Sequence, residues 1–429
     1  MVKIQTLSTH ATTASSQPRA EGRSDEATGH RADAPHTVII VENMTVPDDR
    51  RVWQEATALA RDGWRVSVIC PLMGAHTLRR EIREGVEIFR HPLPFEARNV
   101  FSYVIEYGIA LFWEIYLLLK IGLRNIDVVQ ICNPPDILFI PAAIVKFFGR
   151  AKVVFDHHDL TPELYAEKRG KARGILYTIA IWAEKCTFAL ADKVISTNQG
   201  FKQIALARGA KRDQDVSVVY SAPDLGRIQP VAPDKSLNKG KPYLLLWVGI
   251  IGSQDGVDLL LDAVETLVTK RQDFHLLVAG EGPERQVLMA DAVARGLQPY
   301  ISFPGFLIGK QLQAAFSSAD IGIGSDPKND FNDRLAMNKV MEYMAYSLPI
   351  VMFDLNECRH IAGDAALYAK DNNPVALCDH IDTLMNDAAL RDKLGQKGRA
   401  RLEDGFSWSS QRETYLGVFE TLVKVEEKA

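Results

Sequence analysis

The sequence predicts an α/β protein with two Rossmann-like, doubly wound domains. Short β-branched runs alternate with amphipathic segments, and a proline- and glycine-rich stretch divides the chain. The runs also lack the two-residue polar alternation of half-exposed strands, which is typical of parallel strands covered on both faces. Such strands alternating with helices predict βαβ units and a doubly wound sheet in each half.

Length and charge limit the possible function classes. A chain of 429 residues with 47% hydrophobic residues is long enough for two domains with separate cores. Its formal net charge of −4 gives no general attraction for nucleic acid. The five cysteines have no C-x-x-C spacing, which favours reduced thiols in a cytoplasmic protein.

The composition predicts five segments along the chain. Residues 1–35 contain no apolar run and are predicted to be a disordered tail. The remaining boundaries follow the linker and the last amphipathic stretch: an N-terminal domain at 36–222, a linker at 223–242, a C-terminal domain at 243–406 and a closing helix at 407–429 that crosses back to the first domain.

The elements of the first domain are predicted from its apolar runs. A helix is expected at 48–63, capped by Asp48 or Asp49 and stopped by Gly63. The predicted strands are TVIIVEN, RVSVICP, VEIFRHP, DVVQICN, KVVFDHHD, DKVISTN and VSVVYSAP.

The second domain repeats this pattern. Helices are predicted from about Val257, after Pro283, near 310–318 and from Asn338. The predicted strands are YLLLWVG, FHLLVAG, ISFPG, DIGIGSD and PIVMFD.

The apolar stretch 100–123 leaves three alternatives open. It is long enough to cross a bilayer, but Glu106 and Glu114 near its middle make a crossing costly. A buried crossover helix fits its place between two strands, and a helix that also touches a membrane surface is the third alternative.

Ligands of doubly wound sheets bind beyond the carboxyl ends of the strands, so the strand-exit loops are the candidate sites. The helix that follows DIGIGSD carries Lys339 and, three residues later, Glu342. A helix N-terminus with a lysine suits a phosphate, and a glutamate suits sugar hydroxyls. The alternative is an exposed ion pair between Lys339 and Glu342.

Two other strand-exit loops are candidate ligand-binding sites. Gly249 and Gly252 allow the backbone to approach a ligand, although a plain tight turn explains them equally well. In FDHHDLTPELY the neighbouring His157, His158 and Asp159 are not expected to share one metal ion, because adjacent residues of an extended chain point to opposite sides. A histidine contacting a polar substrate is the functional interpretation, and a capping box led by Thr161 is the structural one.

These motifs, taken together, resemble the family-4 glycosyltransferases, which are retaining enzymes of the GT-B fold. The resemblance covers roughly residues 37–427. It rests on the following stretches: YLLLWVGIIGSQDGVDLLLDAV, HLLVAGEGPE, MNKVMEYMAYSLPIV, FDHHDLTPELY and the carboxyl-terminal FSW with its helix. It implies two Rossmann-like domains facing across a crevice and transfer of a sugar from a nucleotide sugar.

The resemblance also implies residue roles. Glu342 would bind the ribose of the donor, Lys339 its diphosphate and His158 the transferred sugar. The base pocket would be bordered by Gly280, Glu281 and Gly282, and the donor site would also include Gly249, Gly252, Arg334 and Asn338.

The sequence departs from the family pattern at three positions. Arg334 stands where the family often has a glutamate, and Ile250 and Asp255 stand where it usually has an arginine and a lysine. Arg334 and Lys339 are then the local cations for the diphosphate.

On the acceptor side, Asp49, Arg50 and Arg51 follow the first strand. Either arginine is expected to meet an acceptor diphosphate or simply to decorate the helix that Asp49 caps.

The implied function is transfer of a sugar to a lipid-linked or oligosaccharide acceptor, in the synthesis of surface polysaccharide or glycolipid. No metal and no other cofactor is expected, and a peripheral location at the inner face of the plasma membrane is expected from the 100–123 helix. Two alternatives stay open: a sugar-nucleotide epimerase of the same fold, and a non-catalytic nucleotide-sugar-binding or scaffold protein.

Overall fold

The computed structural model describes residues 34–93, 100–168, 174–228 and 230–423. The predicted tail therefore lies outside the described residues except for its last two, and so do residue 229 of the predicted linker and residues 424–429 of the predicted closing helix. The described residues form two compact units. The first unit takes the chain up to Ser196, Lys202–Ser217 and the residues from Thr414 on, and the second takes Thr197–Phe201 and Val218–Glu413. The domain boundaries expected from sequence stay a prediction.

The bounds of the strands and helices follow the chain. The strands are β1 (His36–Val41), β2 (Arg65–Pro71), β3 (Arg80–Arg83), β4 (Val86–His91), β5 (Val128–Cys132), β6 (Lys152–His157), β7 (Lys193–Ser196), β8 (Val216–Val218), β9 (Tyr243–Val248), β10 (Phe274–Ala279), β11 (Ile301–Gly305), β12 (Ile321–Gly324), β13 (Ile350–Phe353) and β14 (Ala366–Ala369). The helices are α1 (Arg50–Arg61), α2 (Val100–Ile121), α3 (Phe139–Ile144), α4 (Thr161–Lys168), α5 (Ile175–Leu190), α6 (Gln199–Ala207), α7 (Val257–Lys270), α8 (Arg285–Ala294), α9 (Lys310–Ser318), α10 (Asn338–Ala345), α11 (Asn356–Ala362), α12 (Pro374–Asn386), α13 (Ala388–Arg401) and α14 (Trp408–Val423).

The first sheet has the strand order β3-β4-β2-β1-β5-β6-β7-β8. Pairing is parallel from β4 through β7, as predicted, whereas β3 pairs antiparallel with β4. The strand β3 was not predicted from sequence. It joins β4 through Glu84 and Gly85, both with positive φ, which is the two-residue turn that fits a twisted hairpin.

The second sheet has the order β11-β10-β9-β12-β13-β14, and its pairs are parallel. The order reverses between β9 and β12, so the exit loops of these two strands lie at the switch point where doubly wound sheets bind ligands. The predicted strands of this half are all present, and the predicted doubly wound α/β class is confirmed for both sheets.

The helix α2 has glutamates on its buried side and apolar residues on its exposed side. Glu106 and Glu114 are fully buried beside Ala110 and Leu118. The exposed stripe of this helix comprises Ile105, Phe112, Tyr116 and Leu119. None of the helices in the described part of the chain combines the length and apolar character that a bilayer crossing requires.

Candidate active site

Lys339 lies in the first turn of α10, which follows the exit loop of β12. Its side chain is buried, and Nζ donates to the two carboxylate oxygens of Asp326 at 3.0 and 2.9 Å. Nζ also lies 4.4 Å from the ring centroid of Trp247, a cation–π distance. The alternative of an exposed ion pair with Glu342 does not hold, because Lys339 is buried and bonded to Asp326.

Tyr343 fixes the position of α10 against the sheet. Its hydroxyl accepts a hydrogen bond from the Val248 amide at 3.2 Å and lies 3.1 Å from the carbonyl oxygens of Leu246 and Ile323. Its ring fills the space beside Gly322, where an added Cβ would come within 2.5 Å. The helix is thus anchored to β9 and β12, and Glu342, half-buried, lies one turn beyond Lys339.

Asp255 is a second carboxyl group beside Lys339. Its Oδ2 accepts from the Gly252 amide at 3.0 Å, and its carbonyl oxygen accepts from the hydroxyl of Ser325 at 2.9 Å. Burial raises the pKa of Asp255 to about 6; the Asp326 charge adds to this effect and the Lys339 charge opposes it. The candidate phosphate site therefore contains two carboxyl groups around one lysine.

The glycines of the donor loops allow two backbones to touch. A Cβ on Gly280 would lie 1.9 Å from the Gly249 carbonyl oxygen, and one on Gly282 would lie 2.3 Å from that of Ile251. The amide of Ile251 donates to the carbonyl of Glu281 at 2.9 Å. Loop-to-loop packing therefore accounts for Gly280 and Gly282 on structural grounds. Gly249 faces the lysine, since a Cβ there would lie 3.5 Å from Lys339 Nζ.

We expect Gly280→Ala to destabilise the second unit. The added methyl group would meet backbone rather than a flexible side chain, so the loops would have to separate. Overpacking of this kind costs about 1–3 kcal/mol, or roughly 2–10 °C in thermal midpoint. Gly405→Ala is the matched control, because a Cβ there meets nothing within 4 Å. Equal midpoints for the two variants would contradict the packing argument.

The remaining predicted donor residues lie near the same helix or the neighbouring loop. Asn338 is exposed and is the first residue of α10. Arg334 is half-buried and ends a short 3₁₀ turn, and its backbone packs against Gly200. Glu281 Oε1 lies 3.5 Å from Arg285 Nε. The structure thus groups Gly249, Lys339 and Asp255, while the roles given to Arg334, Asn338 and Glu281 stay predictions.

In the first unit, His158 follows β6 and pairs with Asp156. Its Nε2 lies 2.5 Å from Asp156 Oδ2, and its side chain is 12% exposed. His157 points to the other side, where it is fully buried against Phe155 and Phe188. Burial lowers the pKa of His157 to about 3, so it is a neutral core residue at physiological pH. The expectation that neighbouring residues diverge is borne out by these two histidines.

Arg51 provides the charge that balances Asp156. Its guanidinium bonds the carboxylate of Asp156 at 2.8 and 3.2 Å and lies 3.1 Å from both Glu55 and His158 Nε2. Although burial alone would raise the pKa of Asp156, the charges of Arg51 and His158 hold it far below its usual range. Burial raises the pKa of Glu55. Arg51 is thus engaged inside the unit, and its predicted acceptor contact stays a prediction.

The other two acceptor-side residues differ from Arg51. Asp49 caps α1 by accepting from the Val52 amide at 3.0 Å, as predicted for the helix start. Arg50 is exposed. The predicted acceptor contact of Arg50 is compatible with this exposure.

Asn133, which sequence reasoning missed, supports the His158 loop. Its side-chain oxygen accepts from the amides of His158 and Asp159 at 2.7 and 3.2 Å. Its amide nitrogen donates to Asp136 Oδ1 at 2.9 Å. Asn133 could have been identified from sequence as a candidate site residue, because it is a polar residue directly after a buried strand. The capping alternative for Thr161 gains no support, since its buried hydroxyl accepts no hydrogen bond from an amide of the helix.

Comparison with known families decides the class of the chain. Residues 49–227 match the family model described as Glycosyltransferase Family 4, and residues 242–387 match the model described as Glycosyl transferases group 1. The chain is a glycosyltransferase of the family 4 and group 1 type.

The curated relatives of this glycosyltransferase are distant. Alpha-D-kanosaminyltransferase of Streptomyces kanamyceticus is 21% identical over 41% of the chain and 45% of its own length. Phosphatidyl-myo-inositol mannosyltransferase of Mycobacterium leprae is 28% identical over 43% and 48%. The capsular polysaccharide biosynthesis glycosyltransferase CapM of Staphylococcus aureus is 20% identical over 59% and 68%. The alignment thus spans less than half the length of the first two relatives.

Solved structures show that the fold is GT-B. Sucrose-phosphate synthase from Thermosynechococcus elongatus has a TM-score of 0.70 at 17% identity, covering 91% of this chain and all of that one. Anabaena HepE in complex with UDP has a TM-score of 0.66 at 14% identity, covering 90% of this chain and 100% of that one. HepE has also been solved with UDP-glucose. The predicted GT-B class is confirmed.

Proposed function

We propose that this glycosyltransferase moves a sugar from a nucleotide sugar to a lipid-linked or oligosaccharide acceptor, with retention of anomeric configuration, in the synthesis of surface polysaccharide or glycolipid. The observation that carries the proposal is Lys339, buried at the start of α10 with Glu342 one turn further on. The UDP and UDP-glucose bound by HepE support a nucleotide-sugar donor. The names of the mannosyltransferase and of CapM support a glycolipid or polysaccharide product.

The donor residues supply the electrostatics of the proposed reaction. As the anomeric bond breaks, negative charge develops on the leaving nucleoside diphosphate. Lys339 and the amides at the start of α10 would stabilise this charge, because both are positioned before the reaction begins. Glu342 would accept hydrogen bonds from the ribose hydroxyls, and His158, oriented by Asp156, would contact the transferred sugar.

The test is incubation of the purified chain with UDP-, GDP- and dTDP-sugars, each with a lipid-linked saccharide, with a free oligosaccharide, and without an acceptor. Release of nucleoside diphosphate that depends on the acceptor, with an α-linked product from an α-linked donor, supports the proposal. An epimerised donor without any transfer, or binding of a donor without turnover even with acceptors of both classes, would refute it.

We propose that this transfer needs no metal ion at the diphosphate, where Lys339 and the helix N-terminus would take the place of a cation. The supporting observation is that the lysine is buried at the position expected for the diphosphate. Turnover in a short assay should persist in EDTA. Loss of turnover that Mn²⁺ restores would instead assign a cation to the neighbouring carboxylates Asp255 and Asp326.

Donor binding should strengthen as pH falls through about 6. Above this pH Asp255 is ionised and repels the diphosphate, and below it the carboxyl is neutral. The repulsion between one nearby carboxylate charge and the diphosphate is worth on the order of 1–2 kcal/mol, or about 5- to 30-fold in affinity. UDP-glucose titrated between pH 5 and 8 is the probe, since its phosphates stay ionised throughout.

Asp255→Asn is the control for this pH dependence. We expect this variant to bind UDP-glucose more tightly than the wild type at pH 7.5. Its affinity should also lose most of the change between pH 5 and 8 that the wild type shows. If the variant and the wild type show the same pH profile, Asp255 does not act on the donor.

We also propose that the first unit binds the surface of an anionic membrane. Exposed apolar side chains occur on α2, on α5 and in the turn after α3, a helix that packs against both. The large ones beyond α2 are Phe147, Phe148, Ile175, Ile179 and Trp182. Exposed Arg150 and Arg124 lie in the adjoining turns. Interfacial aromatic residues flanked by cations favour an anionic bilayer surface.

We expect the double variant Phe147→Ser and Phe148→Ser to weaken binding to vesicles. These rings are 70% and 71% exposed, so their loss should cost little stability. Removing two interfacial aromatic side chains should lower partitioning at least about tenfold, since each contributes roughly 1 kcal/mol or more. Co-sedimentation with vesicles containing phosphatidylglycerol measures this. Ile308→Ser, at a 72% exposed residue of the second unit, is the control, and equal binding by all three proteins would contradict the proposal.

A further inference from the structure

A buried group of three titratable side chains in the first unit plays no part in the proposed transfer. Glu42 is the first residue after β1, His91 is the last residue of β4, and Glu114 lies in the middle of α2. Ile40 pairs with Ile69, and continuing this register by two residues brings Glu42 opposite Pro71, which pairs with His91. One ligand atom from each of the three side chains lies within 4.8 Å of the other two.

These side chains are buried without hydrogen-bond partners. Glu42 and His91 are 1% exposed and Glu114 is 0% exposed. His91 Nε2 lies 3.0 Å from Glu42 Oε2 but outside hydrogen-bond geometry. By geometry, none of the four carboxylate oxygens and neither imidazole nitrogen makes a hydrogen bond to a described residue. Burial, and then the Glu42 carboxylate beside it, raises the pKa of Glu114. Buried charges persist in proteins when they are paired or when they bind a metal.

The arginine that precedes His91 in the chain is already engaged with other partners. Arg90 precedes His91, but its guanidinium bonds Thr45 Oγ1, the Val46 carbonyl and Glu81. The same unit contains a second group of similar spacing, formed by Cys132, Asp156 and His158. That group has Arg51 bonded to its carboxylate. Beside Glu42 the corresponding place is taken by the His91 imidazole, at 3.0 Å, and not by an arginine.

We propose that Glu42, His91 and Glu114 bind one divalent transition-metal ion, with Zn²⁺ as the first candidate. Two carboxylates neutralise the ion, and the imidazole nitrogen favours Zn²⁺ over Mg²⁺ or Ca²⁺, which prefer oxygen ligands alone. A Zn²⁺ about 2.1 Å from each ligand holds the ligand atoms roughly 3–3.5 Å apart, so the 3.0 Å pair needs little adjustment.

The ion would be structural. It joins α2 to the carboxyl ends of β1 and β4, and the ligands come from three separate elements of the first unit. Lys339 and Glu342, which carry the proposed transfer, belong to the second unit. Metal content and thermal stability therefore test this inference independently of turnover.

The experiment uses the full chain, with any affinity tag removed, produced in zinc-supplemented medium and freed of loose metal by gel filtration. Elemental analysis should find about one Zn²⁺ per chain in the wild type. Glu114→Gln and His91→Gln should hold several-fold less. Glu106→Gln is the matched control, because Glu106 is equally buried in the same helix but is outside the group, and it should keep the ion.

Two further readouts use wild-type protein, in case the ligand variants fold poorly. A strong chelator should lower the thermal midpoint, and Zn²⁺ should restore it. Refilling with Co²⁺ should give visible absorption bands that report the ligand set. The proposal is overturned if the wild-type protein holds no zinc and its thermal midpoint does not change when the chelator is added. It is also overturned by zinc that Glu114→Gln and His91→Gln retain in full, which would mark the ion as adventitious.

Discussion

Glu342→Gln is expected to lower donor turnover by roughly 30- to 1,000-fold while leaving the thermal midpoint near that of the wild type. The proposed ribose contact would lose a charged acceptor, which costs about 2–4 kcal/mol in a desolvated site. The fold should tolerate the change, because Glu342 is half-buried and the core contacts of α10 come from neighbours such as Tyr343. Turnover and midpoint are measured on the same preparations.

Glu265→Gln is the control for this prediction. Glu265 is a mostly exposed glutamate of α7 that pairs with Arg295 at 3.2 Å, and a surface ion pair of this kind contributes about 0–1 kcal/mol. Its replacement should leave turnover unchanged. If Glu342→Gln behaves like this control, Glu342 has no part in donor binding.

The fold was predictable because its strands are buried on both faces. Segments such as TVIIVEN and FHLLVAG are mostly apolar and show no two-residue alternation, and both form interior parallel strands. The strand β3 escaped prediction because REIR is mostly exposed, so neither an apolar run nor a buried face marked it. The Glu84–Gly85 turn was the only local sign of this strand, and its dipeptide is less characteristic than Asn-Gly or Asp-Gly.

The candidate site could be proposed from sequence where its residues lie within one element, but not where they come from several elements. The Lys339 and Glu342 spacing is readable along one helix. The partners of the charged residues are not, since Asp326 is 13 residues from Lys339 and Asp156 is 105 residues from Arg51. The alternative of an exposed ion pair with Glu342 also predicted that Lys339 lies at the surface. The structure buries it nevertheless, because the first turn of the helix packs over Trp247 and Asp326.

This burial changes what a substitution of Lys339 is expected to do. Lys339→Met should cost about 3–5 kcal/mol of stability, because it leaves the 3% exposed Asp326 carboxylate without its cation. The same variant should weaken binding of UDP by roughly 30- to 1,000-fold but that of uridine very little, since only UDP carries the diphosphate. A fall in both stability and UDP binding does not by itself separate folding from function.

The substitution Asp326→Asn separates the effect of Lys339 on folding from its effect on UDP binding. Combined with Lys339→Met, it removes the unpaired carboxylate, so the double variant should regain most of the lost thermal midpoint while UDP binding stays weak. Alone, Asp326→Asn frees the lysine from its competing carboxylate, so UDP should bind more tightly than to the wild type, on the order of tenfold for the removal of one nearby charge. Both measurements use calorimetric titration of UDP and uridine beside thermal melting. Recovery of UDP binding together with stability in the double variant would show that Lys339 only neutralises Asp326 and does not hold the diphosphate.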